Sequence, residues 1–200
     1  MISIVIPTVD GREEHLERCI NSYENNTFSD YELIVVHNQK TCGEAWDLGS
    51  NDAKGDFIHF TADDLECHKG WDIAAKVATA INAMPHPRCY RVDGTLDDRY
   101  GGANDLIDVP MTTIPFMTME MWKKIKSSVS GDEVFMKLHY YSDDWISWLA
   151  HQNEINIVSR HGYDFIHYIA QVRRGAGMLE SERMGFDQTV FEQAKNNYAA

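Results

Sequence analysis

Three short runs of this 200-residue chain are apolar at nearly every position: Ser3-Ile4-Val5-Ile6, Leu33-Ile34-Val35-Val36 and Phe57-Ile58-His59-Phe60. A strand with one wet face alternates apolar and polar residues, whereas a strand covered on both faces does not. The intervening stretches repeat apolar residues at helical spacing. Leu16, Cys19, Ile20 and Tyr23 follow the first run, Ala45 and Leu48 with Trp46 the second, and Trp71, Ala74, Ala75, Ala78 and Ile81 the third. The pattern predicts strands at 3–8, 31–36 and 57–60, helices at 13–23, 43–51 and 69–83, and a further strand from Cys89 to Val92. Thr41 is expected to cap the second helix, and Met84-Pro85-His86-Pro87 to end the third. Alternation of this kind builds a mostly parallel sheet with helices on both faces and right-handed crossovers.

Beyond residue 93 the pattern loosens. The stretch 97–108, rich in Asp and Gly, is expected to be a loop. A helix is predicted over Thr118–Ile125 with Met121, Trp122 and Ile125 inward. Another follows Tyr141, capped by Ser142 or Asp143 and bearing Trp145, Ile146, Trp148 and Leu149. The tryptophans Trp71, Trp145 and Trp148 are expected in the core. Ile155–Val158 and Asp164–Tyr168 look like separate strand pieces, and the tail from about Met178 looks helical. No repeat or linker divides the chain, so one domain is expected.

Composition excludes several classes. Acids outnumber Lys and Arg 31 to 18, giving a net charge of −13, which opposes non-specific nucleic-acid binding. No apolar run reaches the ~20 residues of a membrane helix. The first residues lack the basic and apolar regions of a signal peptide. Cys19, Cys42, Cys67 and Cys89 lack metal-ligand spacing and fit the reduced thiols of a cytoplasmic protein.

The third apolar run ends in Asp63, Asp64 and Glu66. Ligands of open α/β sheets sit outside the carboxyl ends of the strands. Carboxylates there suit a divalent cation that also holds substrate phosphates. A solvated acidic turn capping the next helix would give the same sequence.

Taken in order, Ser3-Ile4-Val5-Ile6-Pro7-Thr8 with Asp10 and Arg12, Glu32-Leu33-Ile34-Val35-Val36, Gly43-Glu44-Ala45 with Leu48-Gly49, Ala53-Lys54-Gly55-Asp56-Phe57-Ile58, and Asp63-Asp64 resemble family 2-like glycosyltransferases of the GT-A fold. The resemblance implies a Rossmann-like, mixed but mostly parallel sheet in one compact domain. Residues 1–92 would form the nucleotide-sugar half, 93–177 the acceptor half and 178–200 a helical tail. It implies a nucleobase and ribose pocket lined by Pro7, Thr8, Asp10 and Arg12, with Asn38 where the family often carries a base-reading Asp. Gly43, Asp63 and Arg173 would join the nucleotide-sugar site. Asp64 and His167 would hold Mn²⁺ or Mg²⁺, although Ala62 replaces the first carboxylate of the family's metal motif. Asp143-Asp144 matches the pair that supplies the catalytic base, with Asp144 the better candidate.

The implied activity is inverting sugar transfer from a nucleotide-diphosphate sugar, a UDP-sugar first, to an acceptor hydroxyl. That acceptor could be a glycan, a small molecule, a protein or a modified nucleic-acid base. Two alternatives stand beside it. Ala62 and His37 favour a non-catalytic nucleotide-sugar-binding or scaffold protein. A sugar-phosphate nucleotidyltransferase is disfavoured by Val9-Asp10-Gly11-Arg12, which lacks that class's Gly-rich signature.

Overall fold

The computed structural model describes residues 1–97, 105–106, 108–131, 133–135, 137–139, 141–168 and 180–198, the last segment without side chains at 180–184 and 197. The three apolar runs become β1 (Ile2–Thr8), β2 (Tyr31–His37) and β3 (Phe57–Phe60). β1 lies between the other two and is parallel to both; β6 (Phe116–Thr118) adds antiparallel to β3, giving the order β2-β1-β3-β6. The uninterrupted apolar character of β1 now has its reason. Ile2, Ile4 and Ile6 pack with Cys19, Tyr23 and Trp71 on one face. Val5 packs with Val36, Trp46 and Phe60 on the other.

Helices α1 (Glu13–Asn26), α2 (Cys42–Asp52) and α3 (Trp71–Thr79) follow these strands, β4 (Leu65–Cys67) preceding α3. Thr41 caps α2 as expected, its hydroxyl accepting from the Glu44 N–H at 3.1 Å. Of the residues expected inward on α2, Ala45 and Trp46 are buried and Leu48 is exposed. Likewise α3 stops short of Ala83. Asn82 adopts a left-handed backbone with φ 56°, and Ile81 is left exposed.

The largest departure concerns the second sheet, in the order β4-β7-β5. β5 runs from Ala83 to Tyr90, so Pro85 and Pro87 lie inside a strand and do not precede one. β5 is a sheet edge, where a residue without an N–H is tolerated. The register breaks between His86 and Arg88, around Pro87. The two strand pieces predicted at 155–158 and 164–168 are the two paired halves of one long strand, β7 (Asn156–His167). Between them the pairing jumps, and Gly162 takes φ 86°.

Helices α4 (Met119–Ser127), α5 (Ser142–Gln152) and α6 (Glu180–Tyr198) complete the chain. Met121, Trp122 and Ile125 of α4 face inward as predicted. Trp71 and Trp145 are buried, and the Trp148 ring stacks on Trp145 with centroids 5.1 Å apart. All four cysteines are free thiols. No helix among the described residues is long and apolar enough to cross a membrane.

Candidate active site

The chain is fixed firmly just before its acids. The Thr61 N–H donates to Val5 O at 3.1 Å, and the Trp46 indole donates to Thr61 O at 3.0 Å. Tyr23 O–H donates to the Thr61 hydroxyl at 2.9 Å. After Asp63 and Asp64, β4 pairs antiparallel with β7, setting Leu65 opposite His167. The Tyr168 N–H donates to Asp64 O at 3.0 Å. That pairing brings His167 to the acids, with Nε2 3.8 Å from Asp64 Oδ1.

Asp63 is 4% exposed and accepts from Thr8 Oγ1 at 2.7 Å, from Arg12 Nε at 2.8 Å and from Arg12 Nη2. A buried carboxylate is tolerable when paired and hydrogen-bonded in this way. Arg12 Nη2 also lies 3.5 Å from Asp64 Oδ2. Thr8 and Arg12 are therefore drawn onto the acidic pair. Pro7 is half-buried in β1 opposite Val36. Asp10 and Asn38 sit just beyond the ends of β1 and β2 and bond each other twice: Asp10 N–H to Asn38 Oδ1 and Asn38 Nδ2 to Asp10 Oδ1, both 3.0 Å. Asn38 takes φ 58°, a conformation its short polar side chain tolerates.

Gly43 has a packing role. Its N–H donates to Leu138 O at 2.8 Å, and a Cβ would meet that oxygen at 2.7 Å and the Phe135 Cβ at 2.9 Å. Gly43→Ala is expected to push this segment off α2 and cost about 1–3 kcal/mol, the range for overpacking. Urea denaturation reads it directly. Arg173 lies outside the described residues.

The first turn of α5 supplies the other carboxyls. The N-cap position is Tyr141, in a left-handed conformation with φ 64° and no side-chain cap, so neither Ser142 nor Asp143 caps the helix. Asp143 Oδ1 instead accepts from the Asp144 N–H at 3.1 Å. Burial, then the neighbouring charge of Asp144, pushes the Asp143 carboxyl up to about 7. Burial also raises Asp144. Cys42, at the start of α2, connects the two clusters. Its thiol is pushed up first by burial, then by the charges of Asp143, Asp64 and Asp63. The charges of all three carboxyls thus bear on one thiol, which stays neutral. Sequence reasoning used Cys42 only as a marker of redox compartment; its place directly after the Thr41 cap was the available signal.

Among the described residues no group of three or more His, Cys, Asp or Glu side chains is disposed to hold a metal by itself. Mg²⁺ commonly uses one or two carboxylates plus substrate phosphates, with ligand distances of about 2.1 Å. Asp64 Oδ1 and His167 Nε2, 3.8 Å apart, are closer than twice that length. As a donor set they fit an open site completed by phosphate oxygens. A separate polar groove of about 420 Å³ runs beside α1, lined by Glu14, Glu17, Arg18, Asn21 and Glu66. Its lining includes none of Asp63, Asp64 and Asp143.

The architecture has solved counterparts. S. aureus TarS superposes with a TM-score of 0.65 at 14% identity over 95% of this chain and 38% of its own. TarS 1–349 in complex with UDP-GlcNAc gives 0.69 at 14% identity, covering 95% of this chain and 65% of that one. The complex with UDP gives 0.63 at 14% identity over 82% and 59%. The fold is GT-A-like. No protein-family model and no curated protein matches the chain. The chain spans between 38% and 65% of the TarS chains it matches. In this GT-A-like fold the acids after β3 lie beyond the carboxyl end of a parallel strand, where ligands of open α/β sheets bind.

Proposed function

We propose that this chain is a glycosyltransferase that moves a sugar from a nucleotide-diphosphate sugar, a UDP-sugar first, to an acceptor hydroxyl with inversion. The reading is carried by Asp63 and Asp64 beyond the carboxyl end of β3, with Thr8 and Arg12 on Asp63 and His167 beside Asp64. The complexes of TarS with UDP and UDP-GlcNAc, on the same architecture, support the choice of nucleotide.

Asp64 and His167 would hold a divalent cation, Mn²⁺ or Mg²⁺, which when bound neutralises charge on the departing diphosphate. Asp10 and Asn38, locked together past β1 and β2, would meet the base, with Pro7 beside the ribose. Asp143 would take the acceptor proton. Its carboxyl, raised to about 7, suits a base acting near neutral pH. Asp143 is preferred over Asp144 because it is Asp143 whose charge bears on Cys42 together with those of Asp64 and Asp63. Residues 1–92 would then bind the donor and 93–177 the acceptor.

Calorimetric titration with UDP, GDP, CDP and dTDP, each with and without Mn²⁺, tests the reading. The expected result is binding of UDP, tightened by Mn²⁺. No binding of any nucleotide would remove it in favour of a scaffold role.

A further inference from the structure

The acidic pair at the proposed metal site already holds a cation of its own. Arg12, at the N-cap position of α1, forks onto Asp63 through Nε at 2.8 Å and through Nη2, and the same Nη2 stands 3.5 Å from Asp64 Oδ2. The fork is well enclosed, with the Arg12 side chain 19% exposed and the Asp63 side chain 5%. Thr8 Oγ1 adds a third bond to Asp63 at 2.7 Å. Planar guanidinium on carboxylate is a strong, directional pairing, and the group stays charged at every working pH. A divalent ion seated between Asp64 and His167 would lie beside that positive charge, in a partly buried place where water screens poorly.

We infer that Arg12 is the resident counter-ion of the acidic pair and makes metal capture depend on the nucleotide diphosphate. The inference rests on the donor-site reading above. With Arg12 in place, the guanidinium offsets one of the two carboxylate charges, and a metal ion alone is held weakly. A diphosphate supplies the missing negative charge and oxygen ligands together. Arg12 is thus a positioning residue: it orients Asp63 and sets the affinity of its neighbour Asp64. Ala62 belongs to the same arrangement, since it leaves two carboxylates and not three for one guanidinium to offset.

The test is direct titration of the full chain with Mn²⁺, following free Mn²⁺ by electron paramagnetic resonance, with and without UDP. Arg12→Gln is expected to bind Mn²⁺ alone at least tenfold more tightly than the wild type, and to gain less from UDP. Arg12→Lys keeps the charge without the fork and is expected to stay weak. Equal or weaker Mn²⁺ binding by a folded Arg12→Gln overturns the inference, as does Arg12→Lys behaving like Arg12→Gln.

A measurement on the wild type covers the case in which Arg12→Gln does not fold. The Arg12 Nε–H resonance should be protected from exchange and should change as Mg²⁺ and UDP bind together. An unchanged resonance at saturation overturns the inference. If UDP itself does not bind, the donor-site reading is what fails, and the comparison with Mn²⁺ alone still decides the role of Arg12.

Discussion

Replacing Asp143 with Asn is expected to lower kcat/KM for sugar transfer by about 10²–10⁴-fold, the usual contribution of a positioned general base. Binding of UDP should be nearly unchanged, because Asp143 is assigned to the acceptor and not to the nucleotide. The wild type carries a second signature. A base must be ionised, and the Asp143 carboxyl is pushed up to about 7, so kcat/KM should climb as pH rises toward 7 and level off above it. Asp144→Asn separates the two acids. Burial is the larger cause of the shift and the Asp144 charge the second. Removing that charge should therefore move the bend to lower pH by a fraction of the whole displacement, with the plateau largely kept. Loss of transfer in Asp144→Asn with retention in Asp143→Asn would reverse the assignment. That is the ranking that the family resemblance alone suggests.

The parts of the fold most legible in the sequence are those with a regular apolar pattern: unbroken runs for strands and one apolar face for helices. β1 and β3 could be read because a strand covered on both faces takes apolar residues at nearly every position. β2 could be read the same way but is a sheet edge whose residues are mostly half-buried, so its expected two-sided burial is not found. β4 could not: three residues, Leu65-Glu66-Cys67, give no period. β5 was hidden by Pro85 and Pro87, which signal a turn in most settings and are accommodated here only because the strand is an edge.

In the site, the carboxylates could be placed at a strand end and a helix start, since those positions are local. Their partners were not local. Arg12 reaches Asp63 across 51 positions of sequence. His167 meets Asp64 only because β4 pairs with β7. The neighbourhood of Cys42 likewise depends on how α2 and α5 pack, which no spacing encodes. The resemblance supplied His167 and Asp143-Asp144 as candidates, and the structure adds what each one touches.

Asp47→Ala is expected to cost about 2–4 kcal/mol of folding stability, a large share of the 5–15 kcal/mol of a typical domain. Asp47 is buried on α2, and its two carboxylate oxygens accept from the backbone N–H groups of Val134 at 2.8 Å and Phe135 at 3.0 Å. Truncation leaves both donors unpaired inside the protein, each at about 1–3 kcal/mol, while relief of the carboxyl's own burial offsets part of that. Asp47→Asn keeps one acceptor and should lose about half as much.

The pH dependence has a definite sign. Burial pushes Asp47 up to about 7 against the opposing effect of its two N–H bonds. An unfolded Asp titrates near 3.9. Between about 4 and about 7 the folded chain therefore binds the extra proton, so stability contributed by Asp47 falls as pH rises through that window and levels off above it. Asp143 works in the same direction. Urea midpoints of the wild type should thus decline from pH 5 to pH 8, and those of Asp47→Asn should decline less.

The consequence reaches the site. Val134 and Phe135 belong to the segment whose Leu138 carbonyl receives the Gly43 N–H, and Val134 O accepts from the Trp145 indole of α5 at 2.7 Å. A loosened segment would let α5 and its Asp143 drift from Cys42. Asp47→Ala should therefore lose transfer activity even at temperatures where circular dichroism shows it folded.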